Sequence, residues 1–298
     1  MIRNKALSAI AAVVSLFATW LVFAATPTEQ LPPLNNPPTD ERLPGKFIWF
    51  DLATPAIVSQ QYFYGNVFGW TFEAPLPTQD EYLLIKNRGR AIAGMFRHEP
   101  PGGEQDGAAW IALMSDTDPD STSATVKANG GSVEVEPTNV AGRGRHAVFR
   151  DPGGAVFGVL RSASGDPTDE PVELGDIIWV DLFARDIEAM ATFYGALAPF
   201  EIEDRNITDD VDRKVLSAHG MPRAGIVPVT EEANRSSWVP YIRVSDIEAT
   251  IEKVVAGGGF MIVSPEEGIH EGNVAIFVDP NGGVTGIVKY EYAEESSQ

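Results

Sequence analysis

The stretch WFDLATPAIVSQQYFYG, residues 49–65, decides the fold of this chain because it occurs twice. Residues 179–195 read WVDLFARDIEAMATFYG, so the Trp-x-Asp-Leu start and the Phe-Tyr-Gly end both recur at an offset of 130 residues. Further landmarks recur at nearly the same offset: Ala93-Gly94-Met95 with Ala224-Gly225-Ile226, Trp110 with Trp238, and Asp151-Pro152 with Asp279-Pro280. Landmarks that keep their order at a near-constant spacing indicate an internal duplication. The sequence therefore predicts two homologous domains.

The apolar pattern within each copy alternates between that of a strand and that of a helix. Residues 47–53 and 177–184 are rich in aromatic and β-branched side chains, which predicts strands. Residues 186–197 place apolar side chains at helical spacing, which predicts a helix with one face on a sheet. In the C-terminal copy, Ser245 and Glu248 form a predicted capping box for a second helix.

The remaining predicted strands lie at 82–85, 91–96, 110–114, 156–160, 238–244 and 284–290, and the counterpart of the second helix at 121–129. This order repeats the unit βαβββ twice in each copy and four times in the chain. It predicts the α+β class, with domains at 45–162 and 174–291, a joint at 163–173 and an acidic tail at 292–298.

Composition excludes several classes of function. The chain has 298 residues and a formal net charge of −20. Such a surface repels phosphate backbones and anionic lipid headgroups, so we expect no nucleic-acid partner. There is no cysteine, which excludes disulfides, thiolate metal sites and a cysteine nucleophile.

The N-terminus is typical of a targeting segment. Arg3 and Lys5 precede an apolar run at 6–25 that ends in small residues. Within residues 1–25 this pattern fits a cleaved secretory signal, and it also fits a retained membrane anchor, because about 20 apolar residues can span a bilayer. Both alternatives stay open, and both predict that the rest of the chain is outside the cytoplasm. Residues 26–44 are rich in proline, which predicts a semi-rigid spacer before the first domain.

The order of these motifs resembles the vicinal oxygen chelate superfamily, which includes glyoxalase I, extradiol dioxygenases and bleomycin-resistance proteins. The likeness rests on the Phe-Tyr pair of the first helix, Phe68-Gly69-Trp70, a Gly-Gly after the second helix and Asp-Pro-x-Gly before the last strand. It covers nearly all of the chain after residue 44. The resemblance implies two tandem domains, each of two βαβββ units that form a cup-shaped mixed sheet, packed together as a pseudo-dimer.

In metal-binding members of this superfamily, four positions per site supply His, Gln or Glu. The resemblance assigns these positions to Trp49, the neighbourhood of Ala93, Trp110 and Gly158 in the first domain, and to Trp179, the neighbourhood of Ala224, Trp238 and Gly286 in the second. None of these side chains can coordinate a divalent ion. We therefore expect that the metal-dependent chemistry is lost and that neither domain holds a metal or another cofactor.

The candidate ligand-binding residues are Trp49, Asp51, Trp110, Trp179, Asp181 and Trp238. Strand alternation puts the Trp and the Asp of each Trp-x-Asp start on one face, which the resemblance identifies as the cup interior. Three interpretations stay open. The indoles could fill the space of a former metal site, the cups could be small-molecule pockets, or an Asp could act as a general base.

Other polar residues are weaker candidates. The histidines are His98, His146, His219 and His270, and none has a matching histidine in the other copy, which favours surface or loop positions. Arg143, Arg145 and His146 form a basic cluster that could face an anionic ligand. The second copy has Glu271-Gly272-Asn273 there, which speaks against a shared role.

The function expected from the sequence is metal-free binding of a small, aromatic or hydrophobic molecule in the cups of an extracytoplasmic protein. A second hypothesis is a lyase, isomerase or oxygenase whose metal ligands come from unusual positions such as Asp51 or Asp181. A third is an interaction module without a ligand. The sequence assigns no catalytic residue.

Overall fold

A computed structural model describes residues 30–75, 82–98, 107–208, 211–229, 235–265 and 270–292. The first domain contains β1 (Phe47–Thr54), α1 (Ile57–Phe68), β2 (Thr71–Glu73), β3 (Tyr82–Asn87), β4 (Arg90–Arg97), β5 (Ala109–Ser115), α2 (Pro119–Ala128), β6 (Ser132–Val140), β7 (Gly144–Arg150) and β8 (Val156–Ser162). The second contains β9 (Ile177–Ala184), α3 (Ile187–Leu197), β10 (Glu201–Thr208), β11 (Val211–Ala218), β12 (Met221–Pro228), β13 (Ser237–Val244), α4 (Ile247–Ala256), β14 (Phe260–Val263), β15 (Val274–Val278) and β16 (Val284–Lys289).

Each domain is one mixed sheet of eight strands with two helices on one face. The strand orders are β2-β3-β4-β1-β5-β8-β7-β6 and β10-β11-β12-β9-β13-β16-β15-β14. The antiparallel pair β1/β5 joins the two βαβββ units of the first domain, and β9/β13 joins those of the second. The predicted α+β class and the four βαβββ units are confirmed. The predicted bounds 45–162 and 174–291 enclose the two sheets.

The helix-covered faces of the two sheets share one hydrophobic core. α1 contacts α4, and α2 contacts α3, so each helix pair joins the two domains. The rings of Phe63 and Phe277 are 5.8 Å apart, and those of Phe157 and Phe193 are 6.0 Å apart. Each domain thus contributes one helix to each interdomain pair, as expected for two similar domains that pack as a pseudo-dimer.

The N-cap of the second helix of the C-terminal domain lies one residue later than predicted. Asp246, not Ser245, is the N-cap, and its Oδ1 accepts from the backbone N–H of Ala249 at 2.9 Å. The capping-box prediction at Ser245 is therefore wrong. Asp118 and Asp186 cap α2 and α3 in the same way. Aspartate is as good a cap as serine, so the sequence alone did not separate the neighbouring candidates.

Residues 30–44 do not form a spacer free of the first domain. The backbone N–H of Leu31 donates to Ala141 O at 3.0 Å, and the N–H of Leu43 donates to the Asp166 carboxylate at 2.6 Å. Leu31 and Leu34 pack against buried side chains of the first sheet. The spacer prediction is wrong for these residues, because their backbone groups find partners on the domain although the proline content breaks any regular structure.

The predicted targeting segment 1–25 lies outside the described residues. Among the residues that are described, no helix is long and apolar enough to cross a membrane.

Candidate functional site

The first candidate site, cup 1, is the face of the first sheet that carries Trp49, Asp51 and Tyr82. Trp49 Nε1 donates to Asp51 Oδ1 at 3.0 Å, and the Tyr82 hydroxyl donates to the same oxygen at 2.9 Å. The apolar wall around this trio consists of Ala53, Leu84, Ile111, Leu113 and Leu160. Cup 1 thus combines a fixed indole and carboxylate with a largely apolar wall.

Gly94 provides the room for this trio. Asp51 on β1 and Gly94 on β4 are register partners, and a Cβ at residue 94 would overlap both the Asp51 carboxylate and the Tyr82 hydroxyl. The glycine of the Ala-Gly-Met motif is therefore required by close side-chain approach and not by a turn.

Arg143 covers the indole of cup 1. Its guanidinium carbon is 4.1 Å from the centre of the Trp49 ring, a cation–π contact. The residue is 5% exposed, and neither Nη1 nor Nη2 has a hydrogen-bond acceptor among the described residues. The predicted basic cluster is thereby divided, since Arg145 forms an ion pair with Asp120 at the surface, with Nε to Oδ2 at 2.6 Å.

Burial changes the acid–base properties of cup 1. It raises the pKa of the Asp51 carboxyl above its usual value, although the hydrogen bonds from Tyr82 and Trp49 and the charge of Arg143 oppose the rise. Burial, with a smaller contribution from Arg143, lowers the pKa of His146 to about 4, so this imidazole is neutral at neutral pH. His98 is buried but lies in a loop directly after β4, which agrees with the surface-or-loop prediction, whereas His146 lies within β7 and departs from it.

The second candidate site, cup 2, is the corresponding face of the second sheet. Trp179 Nε1 donates to Asp181 Oδ1 at 2.7 Å, and the Tyr241 hydroxyl hydrogen-bonds the same carboxylate. Arg213 lies 6.0 Å from the centre of the Trp179 ring. Burial raises the pKa of Asp181, and the Arg213 charge opposes the rise most strongly. Gly225 takes the place of the cup 1 glycine, because a Cβ there would overlap the Asp181 carboxylate.

The two cups contain the same four residue types, but two of the four come from different strands. In cup 1 the tyrosine, Tyr82, is on β3, and Arg143 is in the turn before β7. In cup 2, Tyr241 is on β13, the counterpart of β5, and Arg213 is on β11, the counterpart of β3. Sequence comparison of the copies missed Tyr82, Arg213 and Tyr241 for this reason, and it ranked Arg143 only as a weaker candidate within the basic cluster.

Trp110 and Trp238 do not line the cups. Trp110 is the register partner of Leu52, so it is on the helix-covered face, and its Nε1 donates across the domain boundary to Thr285 Oγ1 at 3.0 Å. Trp238 Nε1 donates to the Tyr194 hydroxyl at 2.9 Å in the shared core. Their predicted role in ligand binding is wrong, because a shift of one residue along a strand moves a side chain to the opposite face.

The cups do not provide the ligands that the metal sites of the superfamily need. Trp49 and Gly158 face cup 1, and the cup-facing residues beside the two other predicted positions are Gly94 and Ile111. The second domain has Trp179, Gly225, Val239 and Gly286 in the corresponding places. Within the described residues, no group of three or more His, Cys, Asp or Glu side chains could hold a metal ion. The donor set of either cup therefore does not fit such a metal.

Two family profiles match the chain, one in each domain. Residues 61–159 match the glyoxalase/bleomycin resistance protein/dioxygenase superfamily, and residues 178–288 match a glyoxalase-like domain. The anthracycline biosynthesis protein DauV of Streptomyces sp. (strain C5) is 32% identical over 266 residues, which cover 84% of this chain and 95% of DauV.

Solved structures of the same architecture include a Mn(II)-bound glyoxalase from Novosphingobium aromaticivorans, with a TM-score of 0.56 and 18% identity over 83% of this chain and 82% of the glyoxalase. The 2,3-dioxygenase LapB from Pseudomonas sp. KL28 has a TM-score of 0.56 and 14% identity over 85% of this chain and 94% of LapB. At these identities the likeness concerns the fold.

Proposed function

Because the chain belongs to the glyoxalase/bleomycin resistance protein/dioxygenase superfamily as a tandem two-domain member, we propose that its cups bind a small, flat, largely apolar molecule without a metal ion. The observation that supports this proposal most directly is the indole–carboxylate pair in each cup. A hydrogen bond of 3.0 Å in cup 1 and 2.7 Å in cup 2 fixes the ring against the sheet.

An indole fixed in this way is a preorganised binding surface. Its rotamer is set before a ligand arrives, so little side-chain entropy is lost on binding. Offset stacking or edge-to-face contact of an aromatic ligand on the ring contributes on the order of 1 kcal/mol beyond the area that it buries. The apolar wall of cup 2, which includes Phe183, Val227, Val239 and Ile276, consists of the residue types that line small-molecule pockets.

Tryptophan fluorescence tests this proposal. Titration of the full-length chain with the neutral planar probe 2-naphthamide should quench part of the emission. Trp49→Phe and Trp179→Phe should each remove part of the quenching, because each deletes the indole of one cup. Trp110→Phe is the matched control, since it deletes an indole of the shared core and should leave the cup quenching in place. Unchanged quenching in both cup variants, with circular dichroism spectra like the parent's, would rule out the proposal.

An enzyme remains the alternative, and one observation favours it. The pKa of Asp51 is raised by burial, which brings a carboxyl toward the range in which it can exchange protons with a substrate. The metal-dependent form of this alternative is tested by elemental analysis of protein purified without chelator. About one equivalent of Ni, Zn, Fe or Mn per domain after dialysis would support it and would contradict metal-free binding.

We further propose that the protein acts outside the cytoplasm, on the basis of residues 1–25. Cell fractionation with an antibody against the second domain tests this location. Recovery in the cytoplasmic fraction would contradict it, and N-terminal sequencing of the exported form would distinguish a cleaved signal from a retained anchor.

A further inference from the structure

We infer that cup 1 selects a planar molecule that carries a carboxylate, and that Arg143 binds this group. The inference rests on the proposed function and specifies the ligand class for one of the two cups. Its basis is a buried guanidinium whose terminal N–H groups have no acceptor among the described residues.

The guanidinium of Arg143 has donors without acceptors. Arginine carries five N–H donors and is always charged in proteins, and a buried charged donor without an acceptor is costly. Arg143 is 5% exposed, and its terminal nitrogens Nη1 and Nη2 have no acceptor among the described residues. These two nitrogens can together bind both oxygens of one carboxylate.

The backbone holds Arg143 in place. Its N–H donates to Val140 O at 3.0 Å, and its carbonyl accepts from the N–H of Ala163 at 2.9 Å. The guanidinium lies against the Trp49 ring at 4.1 Å. Stacking uses the face of a guanidinium, whereas its N–H groups point outward in its plane. The two terminal nitrogens on the hydrogen-bonding edge are thus buried beside the indole without a protein acceptor among the described residues.

The carboxylate of Asp51 does not satisfy this cation. Its Oδ1 already accepts from Trp49 and Tyr82, and no ion pair within 4.0 Å joins Asp51 to Arg143 among the described residues. Arg143 is the cation of cup 1, Asp51 faces the same cup, and His146 is neutral at neutral pH. The net charge that a ligand meets is therefore +1 at most. A monoanionic carboxylate therefore fits better than a dianionic phosphate.

Cup 2 offers a weaker site for an anion. Arg213 is only partly buried and lies 6.0 Å from the centre of the Trp179 ring, against 4.1 Å for Arg143 and Trp49. A more solvated guanidinium gains less from an anionic partner. Arg213 is therefore the matched control for Arg143.

Isothermal titration calorimetry of the full-length chain with 2-naphthoate and 2-naphthamide tests the inference. The two probes share the ring system and differ in charge. We expect naphthoate to bind at least about tenfold more tightly than naphthamide, because only naphthoate can form the charge-assisted pair with Arg143. Arg143→Gln should abolish the difference, Arg143→Lys should retain part of it, and Arg213→Gln should leave it intact.

The outcomes separate this inference from the proposed function. If naphthamide binds and naphthoate binds no more tightly, or if Arg143→Gln keeps the preference, the carboxylate assignment is wrong while small-molecule binding stands. If neither probe binds and neither quenches the indoles of the cups, both proposals fail. If Arg143→Gln does not fold, the Arg143→Lys variant replaces it. Full retention of the preference for naphthoate in Arg143→Lys, together with loss of that preference in Arg213→Gln, would contradict the assignment.

Discussion

At the scale of single residues, each cup is organised by one carboxylate and one indole. Asp181 is buried and Asp51 is partly buried, which disfavours their charged forms, and donors from Trp and Tyr side chains compensate part of that cost. The indole gains a fixed orientation in return. Each carboxylate thereby fixes the ring on which the proposed binding surface depends.

Gly94→Ala should disrupt cup 1. The added methyl group would overlap the Asp51 carboxylate and the Tyr82 hydroxyl, so the trio must move apart. We expect a loss of about 1–3 kcal/mol in the free energy of unfolding, typical of overpacking, and a shift in tryptophan emission.

Gly65→Ala in α1 is the control for this substitution. Its Cβ would be 3.4 Å from the nearest atom, Trp70 O, and alanine favours a helix over glycine, so the variant should keep or gain up to about 1 kcal/mol of stability. Urea unfolding measures both variants. Equal stability of Gly94→Ala and the parent would contradict the packing described for cup 1.

Residue positions were predictable from the sequence only where alternation could be counted from a clear motif. Trp49 and Asp51 share a face as the Trp-x-Asp motif predicted. The face of Trp110 depends on the register between β1 and β5, which no local pattern contains, and that prediction failed. Tyr82 and Arg143 reach Trp49 through pairings between distant strands, so the sequence did not predict Tyr82, and it named Arg143 without its contact to Trp49.

At the scale of elements, aspartate caps three of the four helices that lie in the described residues. The Oδ1 atoms of Asp118, Asp186 and Asp246 each accept from a backbone N–H three residues on. Each caps a donor that the first helical turn leaves without a partner. α1 lacks a side-chain cap hydrogen bond, and its stability depends more on the packing of its buried face.

The capping assignment at α4 is testable with two neighbouring substitutions. Asp246→Ala should lower the free energy of unfolding by about 1 kcal/mol, because the Ala249 N–H loses its acceptor. Ser245→Ala should change it by less than about 0.5 kcal/mol, since Ser245 is an exposed residue outside the helix. Thermal and urea unfolding of both variants provide the measurement. A larger effect at Ser245 than at Asp246 would restore the capping box predicted from the sequence.

Elements with a strong apolar period were predictable, and short or polar ones were not. β2 has three residues, and β6 and β10 carry many polar side chains, so neither apolar run nor alternation marked them. Residues 30–44 pack on the first domain through backbone hydrogen bonds such as Leu31 N–H to Ala141 O at 3.0 Å. Backbone groups contribute no sequence signal, and this contact was therefore not predictable.

At the scale of the whole molecule, two reciprocal polar contacts cross the boundary between the domains. The Tyr64 hydroxyl of the first domain donates to Asp279 of the second at 2.9 Å, and the Tyr194 hydroxyl of the second donates to Asp151 of the first at 2.9 Å. Both aspartates belong to the Asp-Pro-x-Gly turns found in the sequence. The duplicated motif thus serves twice, as a turn within a domain and as an acceptor for the other domain.

Asp151 makes stability depend on pH. Burial raises its pKa to about 6 from 3.8, so between these values the folded state binds more protons than the unfolded state. Its contribution is therefore fully favourable below about pH 4 and is lost as the pH rises through 6. In Asp151→Asn this dependence is absent. The free energy of unfolding of the variant minus that of the parent should rise by on the order of 2–3 kcal/mol from pH 4 to pH 7.

Urea unfolding at pH 4, 5, 6 and 7 measures this difference. Subtraction of the parent cancels the titration of other groups such as His146, whose lowered pKa gives the opposite trend. The amide has one acceptor oxygen where the carboxylate accepts at two, and the cost of the lost hydrogen bond is independent of pH. A difference that stays constant over this range would show that Asp151 does not titrate as its burial implies.

The architecture was predictable almost in full because each motif of the fold occurs in both copies, so that each copy supports the assignment made for the other. Repeated landmarks gave the two domains and the four βαβββ units. The site was predictable only in part. Position-by-position comparison of the copies treats Arg143 and Glu271 as counterparts, and so it discounted the guanidinium that covers Trp49.

The different strand origins of tyrosine and arginine in the two cups have a consequence for the history of the gene. Tyr82 and Arg213 occupy corresponding positions, two residues before the register partners of Gly94 and Gly225, so at least one of them arose by substitution after the two copies diverged. The two halves of one polypeptide thus hold the same four residue types at different positions. Ancestral reconstruction of such proteins should therefore compare the residues that line each cup and not only the residues that align in sequence.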